Sequence, residues 1–265
     1  MSDRLATFRQ LHTNKGQPLL LPNAWDAGSA RLFESLGAKA IATTSAGVAW
    51  ALGYADGGKM PADVAIGLAA NVARVLTVPL SVDIENGYSD DPAQVADTVL
   101  RLVDAGAVGI NLEDGQKPAV LLAGKIEKIK SECAKRGVEI FINARTDVFL
   151  ASLVEPPARV AETLSRAALY TAAGVDGLFV PALIEPEQIK AIVAGISVPL
   201  NVLAWAGLPN AAELGKLGVS RLSAGSGIPQ ALWAQAEQMA KGFLEGGRSE
   251  DLKGQMAYSQ LQGLF

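Results

Sequence analysis

The feature that most constrains this chain is the way its helices end. Five stretches with helical spacing stop at a glycine that is followed by a small or apolar residue and then a short apolar run: Gly37-Ala38, Gly106-Ala107, Gly137-Val138, Gly174-Val175 and Gly218-Val219. Glycine supplies the left-handed conformation that closes a helix, and the apolar run after it reads as a buried strand. The chain in order then has strands at 19–21, 40–42, 80–83, 108–112, 139–143, 177–180, 200–203 and 221–223. Helical spacing follows them at 25–36, 61–76, 92–105, 121–135, 157–173, 186–194, 210–217 and 229–244. A short helix, Asp3–His12, precedes the first strand with Leu5, Phe8 and Leu11 on one stripe, and the polar tail from Glu245 to Phe265 has room for another. Strands apolar on both faces belong to a parallel sheet covered by helices. Eight strand–helix units close into a barrel. The expected fold is therefore α/β, a single (β/α)8 TIM-type barrel domain over residues 1–265 with an N-terminal helix and a C-terminal helical extension. A doubly wound open sheet is the alternative; no G-x-G-x-x-G follows the first strand, which counts against a dinucleotide fold.

A barrel carries its site where strands end. The strand at 80–83 runs into L-S-V-D-I-E-N-G-Y (Leu80 to Tyr88) and ends in two acids, Asp83 and Glu85. If the strand continues, both point to one face, and at ~4 Å and an effective dielectric of ~20 their charges repel by ~4 kcal/mol. A cation, a shared proton or open water must relieve that. Neighbouring strand ends add Glu113 and Asp114, then Arg145 and Asp147, while the segment Thr43–Lys59, expected as a long small-residue loop, adds Thr44, Ser45, Ala46 and Asp56. Acids beside core strands are costly unless paired or metal-bound, so a divalent metal site is expected; harmless acids at solvated strand ends are the alternative. With one histidine (His12, expected at the surface) and one cysteine (Cys133), oxygen must hold any metal, which favours Mg²⁺ or Mn²⁺. Such an ion chelates a 2-oxo acid and stabilises the enolate left when a bond beside the carbonyl breaks. Arg145 has the planar fork for a substrate carboxylate or phosphoryl group, or else serves in a salt bridge to Asp147 or Glu113. Backbone N–H groups of Thr44, Ser45 and Ala46 suit the anionic end of a ligand. Ser223-Ala224-Gly225-Ser226-Gly227 reads as a phosphate loop or, more plainly, as a tight turn.

The remaining composition narrows the partners. A net charge of −4 leaves no nucleic-acid footprint. No basic run suits a membrane surface, no apolar stretch reaches the ~18 residues of a spanning helix, and Met1-Ser2-Asp3-Arg4 lacks a signal peptide's apolar run. A single cysteine excludes an intrachain disulfide, which suits a cytoplasmic chain.

Five motifs carry a resemblance: P-N-A-W-D-A-G-S-A-R (Pro22 to Arg31), L-G-Y-A-D-G (Leu52 to Gly57), S-V-D-I-E-N-G-Y (Ser81 to Tyr88), G-I-N-L-E-D (Gly109 to Asp114) and N-A-R-T-D (Asn143 to Asp147). In this order and spacing the chain resembles the isocitrate lyase/phosphoenolpyruvate mutase superfamily. The resemblance implies a Mg²⁺-dependent barrel acting on 2-oxo acids or their enolates. It implies Asp83 as the direct metal ligand, Asp56, Glu85 and Glu113 as ligands through water, Arg145 as the substrate-anion arginine, and Thr44, Ser45 and Ala46 as the cradle. Glu85 stands where many members have aspartate. The resemblance also implies a homo-oligomer, a dimer or tetramer that exchanges the last barrel helix, here Pro229 to Leu244. Lyases of the superfamily have a mobile loop with K-[KR]-C-G; here Glu113-Asp114 is followed by Gly115-Gln116-Lys117-Pro118, short and without cysteine, and Cys133 falls within the next helix. Lys117 stands in for the lysine of the phosphomutases, but their asparagine is missing. The expected function is a Mg²⁺-dependent carbon–carbon lyase or decarboxylase of a small 2-oxo or 2-hydroxy dicarboxylic acid. Alternatives are a phosphoenolpyruvate/phosphonopyruvate P–C mutase or hydrolase, and a non-catalytic 2-oxo acid binding barrel.

Overall fold

The computed structural model describes residues 2–13 and 16–265, and these hold nine parallel strand segments in one sheet. They are β1 (Leu19–Leu21), β2 (Asn23–Ala24), β3 (Ile41–Thr43), β4 (Leu80–Asp83), β5 (Gly109–Glu113), β6 (Phe141–Arg145), β7 (Gly177–Val180), β8 (Leu200–Leu203) and β9 (Arg221–Ser223). From β2 to β9 each strand pairs with the next, and β1 pairs with β9. β1 and β2 are the halves of one strand. Pro22 between them has no N–H for a ladder, so one half faces β9, the other faces β3, and the ring closes across the break. This is the expected (β/α)8 barrel with its first strand divided.

The helices are α1 (Ser2–Leu11), α2 (Ala27–Ser35), α3 (Ser45–Ala51), α4 (Ala62–Val75), α5 (Pro92–Asp104), α6 (Ala119–Lys135), α7 (Arg159–Ala172), α8 (Pro186–Gly195), α9 (Ala211–Lys216), α10 (Gly227–Gly246) and α11 (Tyr258–Gln262). Their starts are chemically marked: Asp26 and Asn210 close capping boxes with Ser29 and Glu213, and Asp91 caps α5 ahead of Pro92. The glycines of the repeat take φ values of 65° to 105°, the left-handed closure read from sequence. α3 was not anticipated; it occupies the first part of the segment expected as loop. None of the described helices is long and apolar enough to cross a membrane.

The expectation that the strands are apolar on both faces fails for the middle of the inward face. The main apolar core packs the outer faces of the strands against the helices. Across the barrel's interior Asn143 Nδ2 donates to Asn111 Oδ1 (2.9 Å) and Asn201 Oδ1 (3.1 Å), and Arg221 Nη2 donates to Asn111 Oδ1 (3.3 Å). Gly177 of β7 makes room, since a Cβ there would lie 2.9 Å from Asn143 Oδ1. A second, smaller apolar cluster closes the floor, where α1 sets Leu5 and Phe8 against Leu19, Leu21, Ala40, Ala42, Val108 and Phe141.

His12 was expected at the surface and is buried, 4% exposed. Its ring stacks on Phe141 and meets Phe8 edge-on. Its Nδ1–H donates to the Phe8 carbonyl (2.7 Å), which leaves Nε2 bare and unpartnered. Burial, and then the charge of Arg221, push its pKa down to about 3. The unfolded chain therefore binds a proton near pH 6.5 that the folded chain refuses until about pH 3, so this stabilisation is lost as pH falls through that window. Relative to His12→Leu, the wild type should lose on the order of 4–5 kcal/mol of unfolding free energy between pH 6.5 and pH 3. Urea titrations across that range would read it; parallel curves for the two proteins refute the assignment.

Candidate active site

The ends of β3 to β6 build the barrel's mouth. β4 stops at Asp83, whose N–H donates to Thr43 Oγ1 (2.8 Å). The chain then turns sharply, with positive φ at Glu85 (52°), Gly87 (87°) and Tyr88 (61°). Left-handed backbone at two non-glycine residues is the kind of strain that collects at functional sites. Gly87 has no substitute here, because a Cβ would sit 2.6 Å from Val95 Cγ1. The same-face argument for Asp83 and Glu85 therefore does not hold, because the strand ends between them. Glu85 is delivered by the turn instead: its N–H donates to Asp83 Oδ1 (3.1 Å), and its Oε2 accepts from the N–H of Gly58, on the loop that carries Asp56. Its Oε1 is buried without a partner. Lys125 of α6, 2% exposed, fastens this turn by donating to the Asn86 carbonyl (2.7 Å).

Glu113 ends β5, and its N–H donates to the Glu85 carbonyl (2.9 Å). Arg145 ends β6 and pairs with both candidate neighbours. Its Nη1 lies 2.8 Å from Glu113 Oε2, while Nε and Nη2 form a fork onto Asp147 at 2.7 and 3.1 Å. Arg145 thus serves a crowd of acids. Burial, and then the charge of Asp56, raise the pKa of Glu85 to about 7. Burial raises Glu113 to about 8, with Arg145 opposing and Asp83, Asp147 and Glu85 adding to it. Asp83 is raised by burial against the pull of Arg145.

Thr44 caps α3 and Ser45 and Ala46 form its first turn. The Thr44 N–H is committed to the Ala24 carbonyl (3.0 Å) and the Ser45 N–H reaches the Asp83 carboxyl, so the cradle is partly spent within the protein. Cys133 lies at the other end of the barrel, buried in α6 near Val138 and Glu139, and Lys117 pairs with Asp90. Among the described residues no three His, Cys, Asp or Glu side chains form a ready-made metal cage. The donors at the mouth are nonetheless all oxygen, undercompensated, and include the orphaned Glu85 Oε1, which is the chemistry a hard divalent cation keeping its own waters requires. Sequence reasoning missed Thr43, Lys125, Arg166 and Tyr170. The last two sit one turn apart on α7, and their spacing is that of any helix face.

Residues 8–244 match the model of the phosphoenolpyruvate phosphomutase family. The chain belongs to that family. An uncharacterized protein of Mycobacterium tuberculosis (strain ATCC 25618 / H37Rv), Rv1998c, is 39% identical to this family member over 260 residues, 97% of this chain and 95% of the relative. The 2-methylisocitrate lyase of Escherichia coli (strain K12) is 28% identical over 198 residues, 70% of this chain and 65% of the lyase. The crystal structure of a candidate phosphonomutase from Burkholderia cenocepacia J2315 is 39% identical and superposes with a TM-score of 0.83, covering 92% of this chain and 99% of that one. The isocitrate lyase/phosphoenolpyruvate mutase superfamily, which holds both lyases and mutases, is therefore the setting for this mouth.

Proposed function

We propose that the protein is a Mg²⁺-dependent carbon–carbon lyase or decarboxylase of a small 2-oxo or 2-hydroxy dicarboxylic acid. The observation that carries this reading is the set of undercompensated carboxyls, Asp83, Glu85 and Glu113, around the single fork of Arg145. Asp83 would hold the ion, with Glu85, Glu113 and Asp56 acting through its waters. When bound, Mg²⁺ (or Mn²⁺) supplies a Lewis acid that stabilises negative charge on the substrate's keto oxygen. Arg145 would orient a substrate carboxylate, and the first turn of α3, with Thr44, Ser45 and Ala46, would border the other end of the ligand. Asp56, on its exposed loop, would orient water. The rim after β5, residues 114–118, is short, has no cysteine to deliver a proton, and commits its one carboxyl, Asp114, to Arg166 and Tyr170, so solvent would protonate the product.

P–C bond chemistry is the second reading, favoured by the 39% identity to the candidate phosphonomutase. Incubating the protein with a 2-oxo acid panel, with Mg²⁺ or with EDTA, separates the possibilities. Product from a dicarboxylate in Mg²⁺ and none in EDTA is expected. A new ³¹P signal from phosphonopyruvate would transfer the assignment to the mutase reading, and saturable binding without product would make the barrel a binding protein. Exposed Leu232 and Trp233 on α10, beside a groove that includes Trp25 and Ala51, support a homo-oligomer built on that helix. The proposed setting is cytoplasmic.

A further inference from the structure

We infer that Asp114 is a positioning residue, which clamps the end of β6 and thereby aims the fork of Arg145 into the mouth. Its side chain is fully buried and paired with Arg166, and not with Arg145's guanidinium. It grips the backbone instead. The Asp114 N–H donates to the Arg145 carbonyl (3.1 Å), and Asp114 Oδ1 accepts from the Asp147 N–H (3.0 Å). The three-residue span from Arg145 to Asp147 is thus held at both ends by one residue of the neighbouring strand's exit. Asp147 is also the residue whose carboxylate holds Nε and Nη2 of Arg145. Moving its backbone therefore moves the fork.

The clamp is braced from α7. Asp114 Oδ2 accepts from the Tyr170 hydroxyl (2.6 Å) and from Arg166 Nη1 (2.9 Å), and Arg166 Nε is tied to Glu162 (2.7 Å). Tyr170 is 0% exposed, and burial, then the charge of Asp114, hold its hydroxyl protonated, so it stays a donor. Arg166 Nη1 also approaches the Lys117 carbonyl (3.5 Å), at the far end of the short rim. A carboxylate that accepts three such bonds in a buried setting is a rigid support. The rim between Asp114 and Lys117 is pinned to the barrel wall, and its root fixes Arg145.

That Arg145 receives a ligand's anionic end rests on the function proposed above, so the test separates the two. Hydrogen exchange of the amides at 145–148 reads the clamp without any ligand. Calorimetry with oxalate in Mg²⁺ reads the fork. In Asp114→Ala, exchange at Asp147 should quicken by about tenfold or more and oxalate affinity should fall by about tenfold, the effect of losing one charge-assisted bond. Asp114→Asn, which keeps an acceptor for the Asp147 N–H, should recover most of that affinity. Tyr170→Phe removes one hydroxyl without a cavity and should move both readouts a few-fold in the same direction, which keeps the test open if Asp114→Ala does not fold. Unchanged exchange in Tyr170→Phe, or in a folded Asp114→Ala, overturns the clamp, and so does faster exchange with unchanged oxalate affinity. If exchange quickens but the wild type binds no oxalate, the clamp stands and the functional reading falls.

Discussion

Replacing Asp83 with alanine is expected to lower turnover by about a thousandfold or more, the scale of removing a principal electrostatic element from a reaction centre, while the barrel stays folded. The structure separates the two effects. Asp83 donates its N–H to Thr43 Oγ1, a bond alanine keeps, while its carboxyl accepts from the N–H groups of Glu85 and Ser45, bonds alanine loses. That half-buried carboxyl also feels the charge of Asp56 and acts on Glu85 and Glu113, and desolvation already holds its pKa up. Removing one of several crowded acids relieves repulsion and offsets the two lost backbone bonds, so Asp83→Ala should melt close to the wild type without metal. A ligand that binds only the folded state raises the melting temperature by mass action. The wild type should accordingly gain stability with Mg²⁺ or Mn²⁺, and the variant should lose that gain together with its activity. Cys133→Ser is the contrasting variant: Cys133 lies near the start of β6, away from the mouth, and its removal should leave turnover unchanged. Equal activity in both variants would sink the metal assignment.

The fold was legible because its signal is redundant. Glycines at 37, 106, 137, 174 and 218 each close a helix in the left-handed region, and any one could be lost without hiding the rhythm. The site was legible as a set of strand ends, because acids beside core strands are conspicuous. Its geometry was less so. Glu85 comes from a left-handed turn, not a continuing strand, and nothing local in N-G-Y distinguishes a turn that begins after Asp83 from one that begins two residues later. α3 was hidden because Ser45–Ala51 is only seven residues, without a charged residue and with Gly47 inside it, so it shows no amphipathic contrast. His12 was placed at the surface because a histidine ending a short helix usually is; only the closed barrel floor shows that Phe141 stacks on it and Phe8 meets it edge-on. The support for Arg145 was invisible for a different reason. Asp114, Arg166 and Tyr170 meet across 52 and 56 residues of chain, and no local pattern records such a meeting.

Arg145→Met should both disable the site and destabilise the fold, and the second effect should depend on pH in a defined sense. Arg145 is half-buried, its side chain 19% exposed, and among the described residues it is the ion-pair partner of both Glu113 and Asp147. Taking away one partner of a buried ion pair costs ~3–5 kcal/mol; solvent screens part of that at this half-buried pair, so a penalty of about 2–3 kcal/mol is expected. Glu113 already has its pKa raised to about 8 with Arg145 present. A carboxyl raised above its unfolded value of 4.5 contributes stability that is complete below that pH and lost as pH rises through the folded value. Without the arginine, Glu113 climbs further, so the penalty should be smallest near pH 5 and grow towards pH 9. Arg145→Lys keeps the charge but not the fork; it should recover much of the stability and little of the affinity for a 2-oxo acid. The decisive comparison is the double variant Arg145→Met/Glu113→Gln, which removes cation and anion together. It should regain stability over Arg145→Met at pH 8.5 and little at pH 5, because near pH 5 Glu113 is already protonated and neutral. Denaturant unfolding of the four proteins at both pH values reads this directly. A pH-independent penalty in Arg145→Met would mean that Glu113 is not the acid Arg145 holds in check, and the electrostatics assigned to the mouth would have to be redrawn.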